Sequence, residues 1–469
     1  MTAILALLLA GGLFAWFLRL ERDGRPVVVV AFLVGLVIVE SALYQSQNEI
    51  PAGIFHPEYG SLSFRLLDIV IPVAILARLL QGRRTLPFGT GLLWLALLAW
   101  LATAGMIGVY DGNPLKIVGF HGKVIIYLGA LLLAAGVPLE DYLAKGRLER
   151  LLGWTAGLAL LLVATDVAGI SITRDLPLVP LQELGTLGSD LATIFSSLGA
   201  LALAVALFAP ERRGRLVASA VVLLVTPAVA DQRAAFIALA LSLATVVAGM
   251  LLSRRRVRVT PTEGALAIAA VAAIVLVSAL PGLLGDQPVK LPLQDELATT
   301  FTSYEEVLTT RDRLNQWSAA GPLIEERPIL GWGLGKQYTY YDPGNLVFKQ
   351  IDLTHNIFGD LLLRAGAVGL GLFLLALGFS AVGLLRAWWT QGDDRAAAFA
   401  LGVGAIIAGL IGKGMAESIF EKYRLAVMLG LAIGVMIAAG LPSRSRAPRA
   451  RAVPVGTSRR DLRLAEDLV

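Results

Sequence analysis

Apolar runs of about 20 residues, separated by short polar connections, recur along nearly the whole of this sequence, and that pattern admits few folds. The runs lie at 2–18, 26–44, 62–80, 88–108, 119–136, 150–170, 186–209, 215–230, 233–252, 262–283, 355–386, 395–413 and 423–441. Each is long enough to cross a bilayer as a helix and too long for a barrel strand, and in hydrocarbon only helices and closed barrels satisfy their own backbone. Composition agrees. Apolar residues make up 56% of the 469 and charged residues only 16%, where a soluble domain carries about 25% charged. The expected fold is all-α, a polytopic transmembrane bundle of about 12–13 helices occupying residues 1–441. Thr2 to Leu18 lacks a basic n-region and a clear small-residue cleavage site, so it reads as a retained helix rather than a signal peptide.

The basic connections alternate along the chain. Arg19, Arg22 and Arg25 follow the first run, Arg83 and Arg84 the third, and Lys145, Arg147 and Arg150 the fifth. Arg212, Arg213 and Arg215 follow the seventh, and Arg254, Arg255, Arg256 and Arg258 the ninth. The intervening connections 45–61 and 171–185 carry almost no Lys or Arg. The positive-inside rule places the basic set in the cytoplasm. The amino terminus, the Asp231–Arg233 turn and the long 284–354 loop then face outward. The tail at 442–469 is basic, arginine-rich and low in apolar residues from Ser443 to Arg460, and expected to be disordered against anionic lipid. The net charge of +5 therefore reads as topology rather than nucleic-acid binding.

Cysteine is absent, which excludes disulfides, thiol catalysis and cysteine-ligated zinc. His56, His121 and His355 are far apart in sequence and no HExxH pattern occurs, so no metal site is expected, nor any cofactor. Chemistry concentrates in and around the 284–354 loop. Gln294 to Leu308 reads as one polar helix and TRDRLNQWSAAGPLIEE, from Thr310, as a second. In the second, Leu314, Trp317 and Ile324 share an apolar face, with Arg311, Asn315 and Ser318 beside it. Gly331 to Gly335 form a glycine-rich turn in which backbone can approach a ligand closely. Thr354 is the expected N-cap of the next span, which puts His355 at a helix N-terminus. Arg233 opens another span on the same side. Each signal also has a plain reading: Arg233 snorkelling to headgroups, His355 as an interfacial histidine, Arg311 and Arg313 on a solvated face, Trp317 and Trp332 as interfacial anchors. Asp295, Asp312 and Asp352 are scattered carboxylates with no pairing spacing and receive no role.

The order of these features resembles the O-antigen ligase and Wzy-type polymerase family of membrane glycosyltransferases. The resemblance is carried by DQRAAFIAL around Arg233, RDRLNQW, RPILGWGLG, THNIFGDLLLRAGAVGLGLFL and, more weakly, Ala416-Glu417-Ser418. It implies metal-independent transfer of a glycan from undecaprenyl diphosphate to a sugar hydroxyl, on lipid A-core or another lipid-linked glycan, at the outer face of the membrane. It also implies that Arg233 and one of Arg311 or Arg313 hold the diphosphate and that His355 sits at the reacting centre. Of the loop pair, Arg311 is preferred for the face it shares with Asn315 and Ser318. A transporter or flippase for a lipid-linked glycan is the alternative. Its mark would be ionisable residues at mid-span, and Asp68, Lys123, Asp166 and Lys413 are the candidates.

This topology is directly testable because the native chain has no cysteine. A membrane-impermeant thiol reagent applied outside should label a cysteine placed at Trp332 and spare one placed at Arg255. The reverse pattern would invert the assignment.

Overall fold

The protein is described here by a computed structural model covering residues 2–43, 58–59, 62–63, 65–82, 90–167, 188–208, 213–230, 233–252, 304–420 and 422–440. Every expected span except 262–283 coincides with a described helix. These are α1 (Thr2–Arg22), α2 (Pro26–Leu43), α3 (Leu66–Leu80), α4 (Thr90–Tyr110), α5 (Leu115–Gly129) continued by α6 (Leu131–Ala135), and, after the short α7 (Leu139–Leu143), α8 (Arg147–Val167). There follow α9 (Ser189–Phe208), α10 (Arg213–Ala230), α11 (Arg233–Leu252), α12 (Tyr304–Glu326), α13 (Ile357–Thr390), α14 (Asp394–Ala416) and α15 (Tyr423–Gly440). The span at 262–283 and the tail at 442–469 lie outside the described residues. Among those described, seven helices are long and apolar enough to cross a membrane, and the chain is a multi-pass membrane protein.

Packing follows composition. The most enclosed helices, α9, α14 and α15, are rich in Ala and Gly, whose small side chains let backbones approach in a setting where lipid supplies no hydrophobic drive for association. α9 packs against α10, α11 and α14, and α15 against α5, α6 and α13. At Gly434 a Cβ would fall 2.4 Å from the Leu131 carbonyl oxygen, so a larger residue there would push α15 off α6. Of the mid-span candidates, Asp68 is in the first turn of α3 and pairs with Lys123 of α5 at 2.6 Å, with the Tyr127 hydroxyl also donating to it. Lys413 is in the last turn of α14. The side chain of Asp166 lies outside the described residues.

The loop differs from expectation in three respects. Tyr304–Glu326 is one helix that runs through the expected break between Leu308 and Thr310, while 294–303 lies outside the described residues. Among its described side chains the buried ones are Gln316 and Ala320, one turn apart, whereas Leu314 and Trp317 are exposed. The packed face is therefore displaced from the one read off the sequence. The loop also contains an antiparallel hairpin, β3 (Tyr338–Asp342) and β4 (Val347–Ile351), after a first short pair β1 (Glu58–Tyr59) and β2 (Leu62–Ser63) near the amino terminus. Asp342 closes the hairpin turn by accepting from the amides of Gly344 and Asn345. The inner strand β3 alternates buried and exposed residues, while β4 is largely exposed.

The third difference is in α13, expected as one unbroken span over 355–386. It is interrupted at Gly366, where φ is 64° and ψ −170°. A break frees backbone groups that hydrocarbon cannot satisfy. The loop supplies the partners. The amides of Ala367 and Val368 donate to the carbonyls of Pro328 and Ile329, at 2.8 and 3.2 Å. The Leu363 carbonyl accepts from the Trp332 amide and the Ala365 carbonyl from the Trp100 indole. The glycine-rich turn thus approaches the protein's own backbone. Cβ atoms on Gly331 and Gly333 would lie 2.6 and 2.2 Å from the amide nitrogens of Gly366 and Gly108, and both glycines have positive φ.

Replacing Gly366 by alanine should lower the thermal unfolding temperature of the detergent-purified protein. A side chain at positive φ costs about 1–2 kcal/mol by itself, and this one would also meet the Ile329 carbonyl. Gly371→Ala, five residues on in open space, should be tolerated. Equal melting of the two variants would contradict the docking role of the break.

Candidate active site

The site is assembled where the loop meets the first turn of α13. The N-cap is Asn356, not Thr354. Asn356 has extended backbone, and its side-chain oxygen accepts from the amides of Phe358 and Gly359. Its Nδ2 donates to the Met415 carbonyl at the end of α14. Thr354 is drawn instead to Asp360, which accepts from its amide at 2.7 Å and its hydroxyl at 3.1 Å. The other Asp360 oxygen accepts from Ser418, and Arg364 lies 3.6 Å away. Asp360 is a buried carboxylate with all this support, so the HN segment and the Ala416-Glu417-Ser418 segment are locked together.

His355 projects from this junction. Its Nδ1 lies 2.7 Å from Gln316 Oε1 on the buried face of α12. Gln316 Nε2 donates to Asp312 Oδ2 at 2.9 Å, and the Tyr340 hydroxyl lies near both Asp312 and Gln316. Burial pushes the His355 pKa below its ordinary value and the Arg313 guanidinium lowers it further, against the opposing pull of Glu417, Asp312 and Asp360. The ring is consequently neutral at pH 7 and able to accept a proton. Burial also pushes the Tyr340 phenol up, to about 12, so it stays a donor.

A charged layer lies at the same end of the bundle. Lys413 is fully buried, 3.5 Å from Asp190 and 3.4 Å from Glu417, and it also donates to Ser189. It ties the start of α9 to the end of α14. α11 runs antiparallel to α14, with Gly412 against Leu241 and Ile237. Arg233, one turn before Ile237, therefore begins α11 at the level of the Lys413–Ala416 end of α14. The Arg233 side chain lies outside the described residues. Beneath the turn, Gly335 donates its amide to His121 Nδ1 at 3.0 Å. That nitrogen must be bare to accept, so the His121 proton is on Nε2, which faces Asp352 Oδ2 at 3.2 Å. His121, Asp360 and Arg364 line a small pocket closed by Leu101, Leu334 and Phe420.

Of the two loop arginines, Arg313 is the one whose charge acts on His355, and Arg311 is exposed. Trp332 is held within the loop, its indole donating to the Leu323 carbonyl with Arg327 and Lys336 over its ring. Asp312 and Asp352, given no role on spacing, are partners of Gln316 and His121. Gln316 and Asp360 were missed. One usable signal was the i, i+4 pair Asp312–Gln316, and another was Asp360 inside the HN segment. Among the described residues no three His, Asp or Glu side chains form a group that could hold a metal ion.

No curated protein matches the chain. The family model described as O-Antigen ligase matches residues 218–374, from within α10 into the second part of α13. That stretch holds Arg233, Arg311, Arg313 and His355, the residues on which the resemblance was drawn. The match covers about a third of the chain and supports O-antigen ligase-type glycan transfer in general.

Proposed function

We propose that the chain transfers a glycan from undecaprenyl diphosphate to an acceptor sugar hydroxyl, without a metal, at the outer face of the bacterial inner membrane. The acceptor is lipid A-core or a second lipid-linked glycan. The observation that carries this reading is a neutral, hydrogen-bonded His355 beside Arg313, at the level where α11 begins with Arg233. The acceptor oxygen attacks the anomeric carbon and gives its proton to His355, while the bond from that carbon to the diphosphate oxygen breaks. The leaving diphosphate gathers negative charge, which Arg233 and Arg313 stabilise because guanidinium stays protonated throughout. The imidazolium then returns its proton to solvent. The 1–441 bundle is the catalytic unit in this reading, and the tail a membrane-surface segment.

Three expectations follow for purified enzyme. His355→Ala should lose about 10²–10⁴-fold in kcat, the usual range for general base catalysis, with little change in donor KM. Activity should fall as pH drops through the His355 pKa, with the acid limb below the ordinary imidazole value of 6.5. Arg313→Ala should weaken transfer more than Arg311→Ala and move that limb to higher pH, since the guanidinium is what helps hold the ring pKa down. A fully active His355→Ala would remove the base.

Arg233→Ala should abolish transfer at normal membrane abundance. Arg233→Lys should restore little, because lysine lacks the planar fork that grips two phosphate oxygens. EDTA should leave the rate unchanged. Active Arg233→Ala protein would return this arginine to a headgroup anchor, and loss of activity in EDTA would end the metal-free reading.

A further inference from the structure

We propose that Gln316 is a positioning residue that, with Asp312, fixes His355 in the Nδ1–H tautomer and leaves Nε2 as its basic nitrogen. The inference rests on the reading of His355 as base. It follows from the direction of the hydrogen bonds. The NH₂ group of Gln316 donates to Asp312 Oδ2 at 2.9 Å. The carbonyl Oε1 is then the end that faces His355 Nδ1 at 2.7 Å. A carbonyl oxygen cannot donate, so the hydrogen in that bond belongs to the ring. In a neutral imidazole the other nitrogen is then bare.

The chain Asp312, Gln316, His355 thus does through an amide what a carboxylate does in a hydrolase triad. It selects the tautomer and holds the ring. The difference is that the group touching the ring is uncharged. A carboxylate there would raise the ring's proton affinity, whereas an amide orients it and leaves it a weak base. Gln316 is 1% exposed, so its amide depends on partners within the protein. Tyr340, on the buried face of the hairpin, lies near both Asp312 and Gln316. The charged groups that face His355 are Arg313 and Asp312 from α12, Glu417 from the end of α14 and Asp360 from α13. All of these act on the ring's charge, whereas the Gln316 bond acts on its tautomer.

The chain has only three histidines, so nitrogen NMR of ¹⁵N-histidine-labelled protein in detergent resolves the tautomer, with His355→Ala identifying the signal. Wild-type His355 should be in the Nδ1–H form. Gln316→Met, similar in shape but unable to accept strongly, should lose that fixed tautomer and about tenfold or more in kcat, with donor KM little changed. The double variant Asp312→Asn with Gln316→Glu moves the carboxylate next to the ring while every donor still faces an acceptor. It should keep the Nδ1–H form, recover most of the rate and shift the acid limb to higher pH. Recovery by this swap separates positioning from a merely structural role. An Nε2–H ring in the wild type, or a Gln316→Met enzyme with wild-type rate and pH profile, would overturn the inference while leaving His355 as base. A fully active His355→Ala would instead overturn the base itself, and the spectrum would still decide whether Gln316 sets the tautomer.

Discussion

Backbone amides freed inside a membrane protein need partners, and in α13 those partners come from outside the helix. Gly366 breaks the ladder, and the Pro328 and Ile329 carbonyls take up the amides of the next two residues. This exchange fixes the loop to the bundle. Once Pro328–Gly335 is seated between α4 and α13, the end of α12 and the start of the hairpin have little freedom. Gln316 is thereby held against the junction from which His355 projects. A site built mainly from a loop gains the rigidity of a helix, because the loop completes one.

The second constraint is electrostatic. Asp360, Lys413, Asp190 and Glu417 are charges placed at one end of the bundle, and each has a partner. Removing one partner from such a set leaves an uncompensated buried charge, which costs about 3–5 kcal/mol. The same groups set the field at His355. Glu417 and Asp360 favour the protonated ring, Arg313 and burial oppose it, and the balance falls on the neutral side. Lys413 neutralises Glu417 in part, so the charge clamp between α9 and α14 also bears on the base.

The transmembrane helices were legible because hydropathy over 18 or more residues depends on composition alone, and the expected spans differ from the described helices mainly at their ends. The order of motifs also located the segments that meet at the site. What the sequence hid was geometry. The hairpin was announced by Asp342-Pro343-Gly344-Asn345 between two runs rich in tyrosine, valine and isoleucine, a turn signal overshadowed by the helical reading of the loop. The break at Gly366 was invisible because a glycine within an apolar run is compatible with an unbroken span. The face of α12 was misjudged because hydrophobicity pointed to Leu314 and Trp317, whereas a polar residue, Gln316, is the one buried. A buried amide is stable only with its partners in place, and those lie 4 and 39 residues away.

The central claim is that this membrane bundle makes a glycosidic bond rather than moving its lipid-linked substrate across the bilayer. The direct measurement uses proteoliposomes of the purified wild-type protein, with an undecaprenyl diphosphate-linked glycan labelled in the sugar, an acceptor glycan and EDTA. Label should appear on the acceptor with release of an equal amount of undecaprenyl diphosphate. Movement of intact donor between leaflets, with no labelled acceptor, would contradict it.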